Sequence, residues 1–433
     1  MTRNQQLFNP NDRVNNFQAA HLLGISLVLL LTTFPISFPR AKMIGDFPLH
    51  VSLFLLVYCS LVLKGKLKSN LRITLNALLI ILVLFSLRVF YSAESFTFGL
   101  IEINNLFMSL LVFVAFAKCN FHELIIALIY IRLAIFISAI TSVLFYFKLI
   151  VPDSARNIIR LVDVANVSYG STRVVTQTLI LAIAYIIISI AYFGVFGRRR
   201  HFVHILTFCA STIIIILAQS RLIVISIITL LFILIYIKSA KVIIQLVLKP
   251  LLMGLILLIF ISPFATHLSQ SSLYDSLRGA TSRITAGLQA RTDISADPSA
   301  LYRVIENELA VEAIKENLVW GLGFGVPYTP YTLSKGNGWL SVYGGYYTHN
   351  TIYWLCLKFG ILLALGILIL LFFSLRLSRF KLTEEQFVIK SSTLAIIAFM
   401  PFWNLFAGLS ESLILLSLLG LSHNPSFGKH FRK

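Results

Sequence analysis

The chain has 433 residues, of which 58% are hydrophobic and 12% are charged, and its mean hydropathy is +0.87. Soluble domains average about 25% charged residues, so this composition excludes a water-soluble globular protein. The formal net charge of +19 would suggest nucleic-acid binding in a soluble protein. Here most lysines and arginines lie in short segments between apolar runs, the distribution that orients membrane helices, and no nucleic-acid partner is expected.

Apolar runs of roughly 17 to 25 residues, the length of a bilayer-spanning helix, recur from the N-terminal to the C-terminal part of the chain. They predict an all-α integral membrane protein with about 12 transmembrane helices, built as a single polytopic domain over residues 1–433. The polar start lacks the basic segment and cleavage site of a signal peptide. The first apolar run is therefore expected to remain as the first helix.

Short basic segments alternate along the chain so that all of them fall on one side of the membrane. They are residues 64–72, 197–201, 238–241 and 376–381 and the C-terminal GKHFRK. Short loops rich in lysine and arginine stay in the cytoplasm. The sequence therefore predicts a multi-pass membrane protein with both termini in the cytoplasm.

The dominant outer loop, residues 267–348, is too long to be structureless and predicts a subdomain on the outer side before the tenth helix. Inside it, Asp297 and Pro298 mark a helix start. A stripe of apolar residues predicts an amphipathic helix of about five turns that lies against the outer face of the bundle. The stripe comprises Leu301, Val304, Ile305, Leu309, Val311, Ile314 and Leu318. The following GLGFG, residues 321–325, predicts a helix stop and a tight turn.

Arginines occur on the outer side despite the positive-inside bias. Arg221 lies in the short turn LAQSRLIV, where it could anchor to lipid headgroups or hold phosphate oxygens with its planar fork of donors. The other outer arginines are Arg156, Arg160, Arg173, Arg278, Arg283, Arg291 and Arg303. For those of the dominant loop, an ordinary ion-paired surface role is the alternative, with Glu306, Glu308, Glu312 and Glu316 as partners.

His349 and Asn350 stand where the dominant loop meets the tenth apolar run, in YYTHNTIYWLCLKFG. Asn350 is suited to cap the helix that follows. His349 could be an interfacial residue, or a general base, because imidazole exchanges protons near neutral pH. No second histidine or carboxylate stands at metal-ligand spacing, and no CxxC pair occurs, so neither a metal site nor a disulfide framework is expected.

Charged residues inside the apolar runs require partners, because an isolated charge is costly in lipid. The simplest prediction is an ion pair between Glu102 and Arg132. Lys358 follows His349 by about two turns, and it either faces the same cleft or extends towards the headgroups.

Several features in one order resemble the O-antigen ligase and polymerase superfamily of bacterial glycan assembly. They are the QSR of the outer turn, the long outer loop with NLVWGLGFG, and THN at its end followed by KFG. The resemblance covers about residues 170–366. It implies that His349 is catalytic and that Arg221, Arg303 and, less directly, Arg173 beside YGST bind pyrophosphate. The turn differs from the family's SxSR, because Ala218 stands where the first serine would be.

The resemblance also implies a bacterial inner-membrane protein whose 267–348 subdomain is periplasmic, and it implies the reaction: transfer of a glycan from undecaprenyl pyrophosphate to an acceptor sugar at the periplasmic face. No metal is expected, because the outer face holds no ligand cluster. No cofactor is expected either, because the pyrophosphate donor is already activated. We favour polymerisation of O-antigen or exopolysaccharide repeat units, for which a chain-length regulator would be a further partner. The first alternative is an O-antigen ligase that transfers the glycan to the lipid A core. The second is a transporter or flippase for lipid-linked glycans, which would require broken helices and polar groups near mid-membrane.

Overall fold

The structure is a computed structural model that describes part of the chain. The described residues are 43–44, 47–48, single positions between 99 and 117, 121–147, 162–166, 172–176, 179–196, 202–218, 222–237, 298–329, 348–375, 384–398, 400–401, 404–405 and 409–424.

The described ranges are mainly helical. Their helices are α1 (Phe121–Tyr146), α2 (Leu179–Phe196), α3 (Phe202–Ala218), α4 (Leu222–Ile237), α5 (Pro298–Glu316), α6 (Thr351–Phe359), α7 (Ile361–Ser374), α8 (Glu384–Ile397) and α9 (Leu409–Ser422). The strands are β1 (Met43–Ile44), β2 (Phe47–Pro48), β3 (Val162–Asn166) and β4 (Thr172–Thr176). The strands form two antiparallel ribbons, in which β1 pairs with β2 and Ala165 of β3 pairs with Arg173 of β4. The all-α prediction did not include these ribbons.

Helix α2 lies at the centre of the bundle. It packs against α3, α4, α8 and α9, and its residues from Leu179 to Ile187 are all buried. Helices α1, α4 and α7 also carry apolar residues on their outward faces: Ile140, Phe232 and Leu362 are 61%, 67% and 71% exposed. Helices that are hydrophobic on all sides are typical of membrane spans.

The prediction of about 12 spans is supported only in part. Among the described residues, Leu128–Tyr146 of α1 is long and apolar enough to cross a bilayer, and five further apolar helices are shorter. The number of spans, the sidedness of the loops and the position of both termini therefore stay predictions.

The loop helix α5 begins at Pro298, which confirms the predicted start. The predicted apolar stripe is wrong in part: Val304, Ile305 and Leu318 are 37%, 45% and 48% exposed, whereas Ile314 is buried. The buried face consists of Glu306, Ala310 and Ala313 together with Ile314. Its small alanines let α5 approach α6 closely, where Leu357 completes the cluster.

The tenth predicted span is broken at Gly360 into α6 and α7. Backbone groups that the break would leave unpaired are bonded by the end of the outer loop: the Ile361 N–H donates to the Leu318 carbonyl at 2.8 Å, and the Leu322 N–H donates to the Leu357 carbonyl. Gly321 and Gly360 meet at this contact, both with positive φ, of 61° and 78°. A Cβ on Gly321 would lie 2.6 Å from the backbone nitrogen of Gly360, so only glycine fits.

The predicted ion pair between Glu102 and Arg132 is wrong. The carboxylate of Glu102 pairs with Lys358 of α6, at 2.9 Å. The guanidinium of Arg132 lies instead beside the imidazole of His204 on α3, 3.4 Å from its Nδ1. Spacing within the sequence could not reveal this pairing, because Lys358 lies about 250 residues after Glu102 and reaches it only through packing of α6.

Candidate functional site

The site is built where the outer loop ends and α6 begins. Asn350 caps α6, as predicted: its side-chain oxygen accepts hydrogen bonds from the N–H groups of Ile352 at 2.9 Å and Tyr353 at 3.2 Å. A capping side chain satisfies amide groups that the first helical turn leaves without partners. It also fixes the direction in which the preceding residue, His349, leaves the helix.

The connection between α8 and α9 holds this corner from the other side. The Thr351 N–H donates to the Met400 carbonyl at 2.8 Å, and the Thr351 hydroxyl accepts from the Leu405 N–H at 2.9 Å. The side-chain amide of Asn404 donates to the Thr348 carbonyl at 2.8 Å. These bonds fasten the backbone on both sides of His349, so the imidazole is carried by a rigid segment.

The imidazole of His349 contacts the carboxylate of Glu306 on α5. Its Nδ1 lies 3.0 Å from Oε2 and 3.2 Å from Oε1, and the His349 backbone N–H donates to Oε1 at 3.2 Å. The Glu306 side chain is 3% exposed, whereas that of His349 is 23% exposed. The carboxylate is therefore shielded from solvent, whereas the imidazole is partly accessible to it.

This arrangement selects one form of the imidazole. An ionised carboxylate only accepts hydrogen bonds, so Nδ1 must carry a proton when it donates to Glu306. In the neutral ring, Nε2 then holds the lone pair. A histidine held in this tautomer by a buried carboxylate is the arrangement that a general base requires.

Of the predicted arginines, Arg303 lies on the same helix as Glu306, the residue that contacts His349. It is partly buried on α5, three residues before Glu306, and residues at this spacing are neighbours on a helix. Arg221 lies outside the described residues, in the three-residue interval between α3 and α4. Arg173 lies on β4, and that strand packs against α1 and α3. The proposed pyrophosphate role of all three arginines stays a prediction.

A second carboxylate contact, here with an ammonium, lies further along α6, between Glu102 and Lys358. Lys358 is 2% exposed, and its ammonium also donates to the Val326 carbonyl at 3.5 Å. The Gly325 N–H donates to Glu102 at 2.8 Å. The pair thus joins α6 to the glycine turn and to the segment that carries Glu102. Lys358 therefore neither lines an open cleft nor extends towards the headgroups, because its side chain is enclosed within the protein.

Glu306 is the residue that sequence reasoning missed, because it was assigned as a surface partner for the loop arginines. A signal was present: Glu306, Ala310, Ala313 and Ile314 recur at helical spacing. A carboxylate in line with small apolar residues marks a buried face with a polar partner across it.

Residues 205–371 match the sequence profile of a family described as O-antigen ligase. No curated protein matches the chain. The matched range runs from α3 to α7 and contains Arg221, Arg303, Glu306 and His349. The family supports an O-antigen ligase or polymerase type of glycan transfer by an inner-membrane enzyme, with a lipid-linked glycan and an acceptor as substrates. Residues 205–371 are therefore similar to the O-antigen ligase family, consistent with the superfamily that the motifs indicated.

Proposed function

We propose that this protein transfers an oligosaccharide from undecaprenyl pyrophosphate to an acceptor sugar hydroxyl at the periplasmic face, and that it polymerises repeat units. The observation that carries the proposal is the contact between His349 and Glu306. It gives a family member an oriented, partly exposed imidazole at the end of its long outer loop.

In the proposed step, the acceptor hydroxyl attacks the anomeric carbon of the donor sugar. A new glycosidic C–O bond forms, and the bond from the anomeric carbon to the pyrophosphate oxygen breaks. The hydroxyl proton passes to Nε2 of His349, and undecaprenyl pyrophosphate leaves with the electron pair. Glu306 stabilises the imidazolium that forms, through the hydrogen bond to Nδ1. No nucleotide is needed, since the donor is already activated.

The departing pyrophosphate requires positive charge at the place where its own charge increases. We assign this role to Arg221, with Arg303 assisting and Arg173 as a third candidate. Arg303 neighbours Glu306 on α5, so its charge is carried by the same helix that orients the base. Arg221 stands between α3 and α4 in the sequence, three residues after Ala218 and immediately before Leu222.

The transporter alternative merits a direct comparison, because it requires broken helices. The predicted tenth span, which is broken at Gly360 into α6 and α7, is one such helix. Its backbone groups are bonded to residues 318 and 322 of the outer loop, whereas the open sites of transporters leave such groups to bind substrate or ions. This difference favours an enzyme whose loop is fixed to its membrane helices.

The first test separates the two proposed roles. His349→Ala should slow transfer from purified lipid-linked donor by roughly 10²–10⁴-fold while donor binding persists. Arg221→Ala should weaken both donor binding and transfer, and Arg221→Lys should not restore them fully, because an ammonium lacks the bidentate fork. All variants are compared at equal amounts in the membrane.

Near-normal transfer by His349→Ala would overturn the assignment of the base. Unchanged donor binding by Arg221→Ala would make this arginine a lipid anchor and move the clamp to other loop arginines. Movement of the lipid-linked glycan across vesicles without any glycosidic product would favour the transporter.

The family description favours a ligase as the second candidate. Purified protein and donor can be mixed either with a second lipid-linked repeat unit or with lipid A core. A ladder of products in the first mixture identifies a polymerase. A single transfer, found only in the second mixture, identifies a ligase.

A further inference from the structure

The exposed surface of the outer loop changes character abruptly at the end of α5. After the exposed Val304 and Ile305 near its start, this helix exposes four charged residues in its C-terminal half, so that half lies in water: Glu308, Glu312, Lys315 and Glu316. The next exposed residues are apolar: Leu318, Val319 and Trp320 are 48%, 55% and 72% exposed. Charged residues so close together would be very costly to place against lipid, whereas three consecutive exposed apolar residues, one of them tryptophan, are typical of a membrane interface.

The same change occurs on the neighbouring helix at the same level. No described residue of α6 is classed as exposed. Immediately after Gly360, α7 exposes Ile361, Leu362 and Leu365, at 39%, 71% and 53%. The two surfaces are contiguous, because the Ile361 N–H donates to the Leu318 carbonyl at 2.8 Å.

We propose that Leu318, Val319, Trp320, Ile361 and Leu362 form a lipid-contacting ledge that enters the outer leaflet of the bilayer and fixes the depth of the catalytic loop. Gly360 then marks the outer limit of the hydrocarbon. Helix α7, of 14 residues, supplies about 21 Å of helix on the membrane side of this level, and the basic segment 376–381 follows it in the sequence.

The ledge has a consequence for the site. Helix α6 lies above the hydrocarbon, and the backbone of His349 lies at most about 20 Å above Gly360, from the rise of the helical residues and of the two extended residues before them. The lipid carrier's pyrophosphate, held at headgroup level, would lie between the ledge and His349. The ledge itself does not depend on the proposed reaction, since it follows from exposure and chemistry alone.

The main test compares two positions on either side of the change, in the full-length protein reconstituted in phosphatidylcholine–phosphatidylglycerol vesicles. Spin labels are placed at Lys315→Cys and at Val319→Cys in a chain without its native cysteines. The label at 319 should collide more often with oxygen, which is concentrated in lipid, and the label at 315 with a water-soluble nickel chelate. Preference for the nickel chelate at both positions would overturn the ledge. Protection of 319 from both reagents, together with disulfide cross-linking between two copies there, would show a protein interface instead.

A second measurement uses the protein with its native cysteines, in case their removal prevents folding. Bromines placed near the upper end of the acyl chains should quench part of the tryptophan emission, and bromines near the bilayer centre should quench that part less. Trp320→Phe should abolish this shallow component and leave the remaining emission unchanged. An equal shallow component in the parent and in Trp320→Phe would show that Trp320 does not contact lipid.

Discussion

Two carboxylates each contact a nitrogen-bearing side chain near opposite ends of helix α6, and the two pairs differ in what surrounds them. Glu306 and His349 are 3.0 Å apart, and Glu102 and Lys358 are 2.9 Å apart. The His349 side chain is 23% exposed, whereas the Lys358 side chain is 2% exposed. Nearly equal distances therefore occur in one open pair and one closed pair.

The difference shows what separates a reactive group from a structural one. A base must reach the proton that it removes, so the exposed imidazole is suited to chemistry. An enclosed ammonium, bonded to a carboxylate and a carbonyl, is suited to holding α6 against the glycine turn. Distance alone would not distinguish these roles, and the two pairs are predicted to fail in different ways.

The largest expected effect is on stability, at the closed pair. Lys358→Met leaves the carboxylate of Glu102 buried without its counter-charge, and breaking a buried pair in this way costs about 3–5 kcal/mol. We expect a large decrease in the thermal midpoint of the purified protein. Lys358→Met combined with Glu102→Gln should recover much of the loss, because glutamine is uncharged and still accepts a hydrogen bond from the Gly325 N–H. A single variant that melts like the parent would show that the pair is not structural.

A smaller effect is expected at the pair of Glu306 and His349, where substitution should lower the rate of glycan transfer. Glu306→Gln removes a charge-assisted hydrogen bond, worth about 1.5–3 kcal/mol, so transfer should slow by roughly 10- to 150-fold. Glu306→Asp should retain more activity than Glu306→Gln if its side chain reaches Nδ1. We would measure kcat, KM and the pH dependence of transfer, since the substitution removes the carboxylate that accepts the hydrogen bond from Nδ1 of His349. An unchanged pH profile with a lower thermal midpoint would make Glu306 a packing residue only.

The smallest effect is expected at a matched carboxylate on the same helix. Glu312 is exposed, so Glu312→Gln removes the same charge from α5 without touching His349. Exposed substitutions of this kind change stability by less than about 0.5 kcal/mol, and transfer should remain within about twofold of the parent. A loss as large as that of Glu306→Gln would mean that the overall charge of α5, and not the contact with His349, governs the rate.

Much of the architecture could be predicted from local patterns. Proline and aspartate at residues 297–298 mark the start of α5, Asn350 caps α6, and the glycines of 321–325 end a helix with positive φ at Gly321, Gly323 and Gly325. These features depend on the backbone preferences of a few consecutive residues. The order of the motifs also indicated the family, which the profile match confirms.

The sequence by itself determined that the chain is apolar enough for a membrane, where α5 and α6 begin, and that His349 stands at a helix start. Only the tertiary structure decided that Glu306 faces His349, that Lys358 pairs with Glu102 and not with the headgroups, and that Gly321 meets Gly360. The physical reason is the distance along the sequence over which each interaction acts. Propensity and capping act within one or two turns, whereas the partner of a charge depends on which helix faces are brought together when the bundle packs.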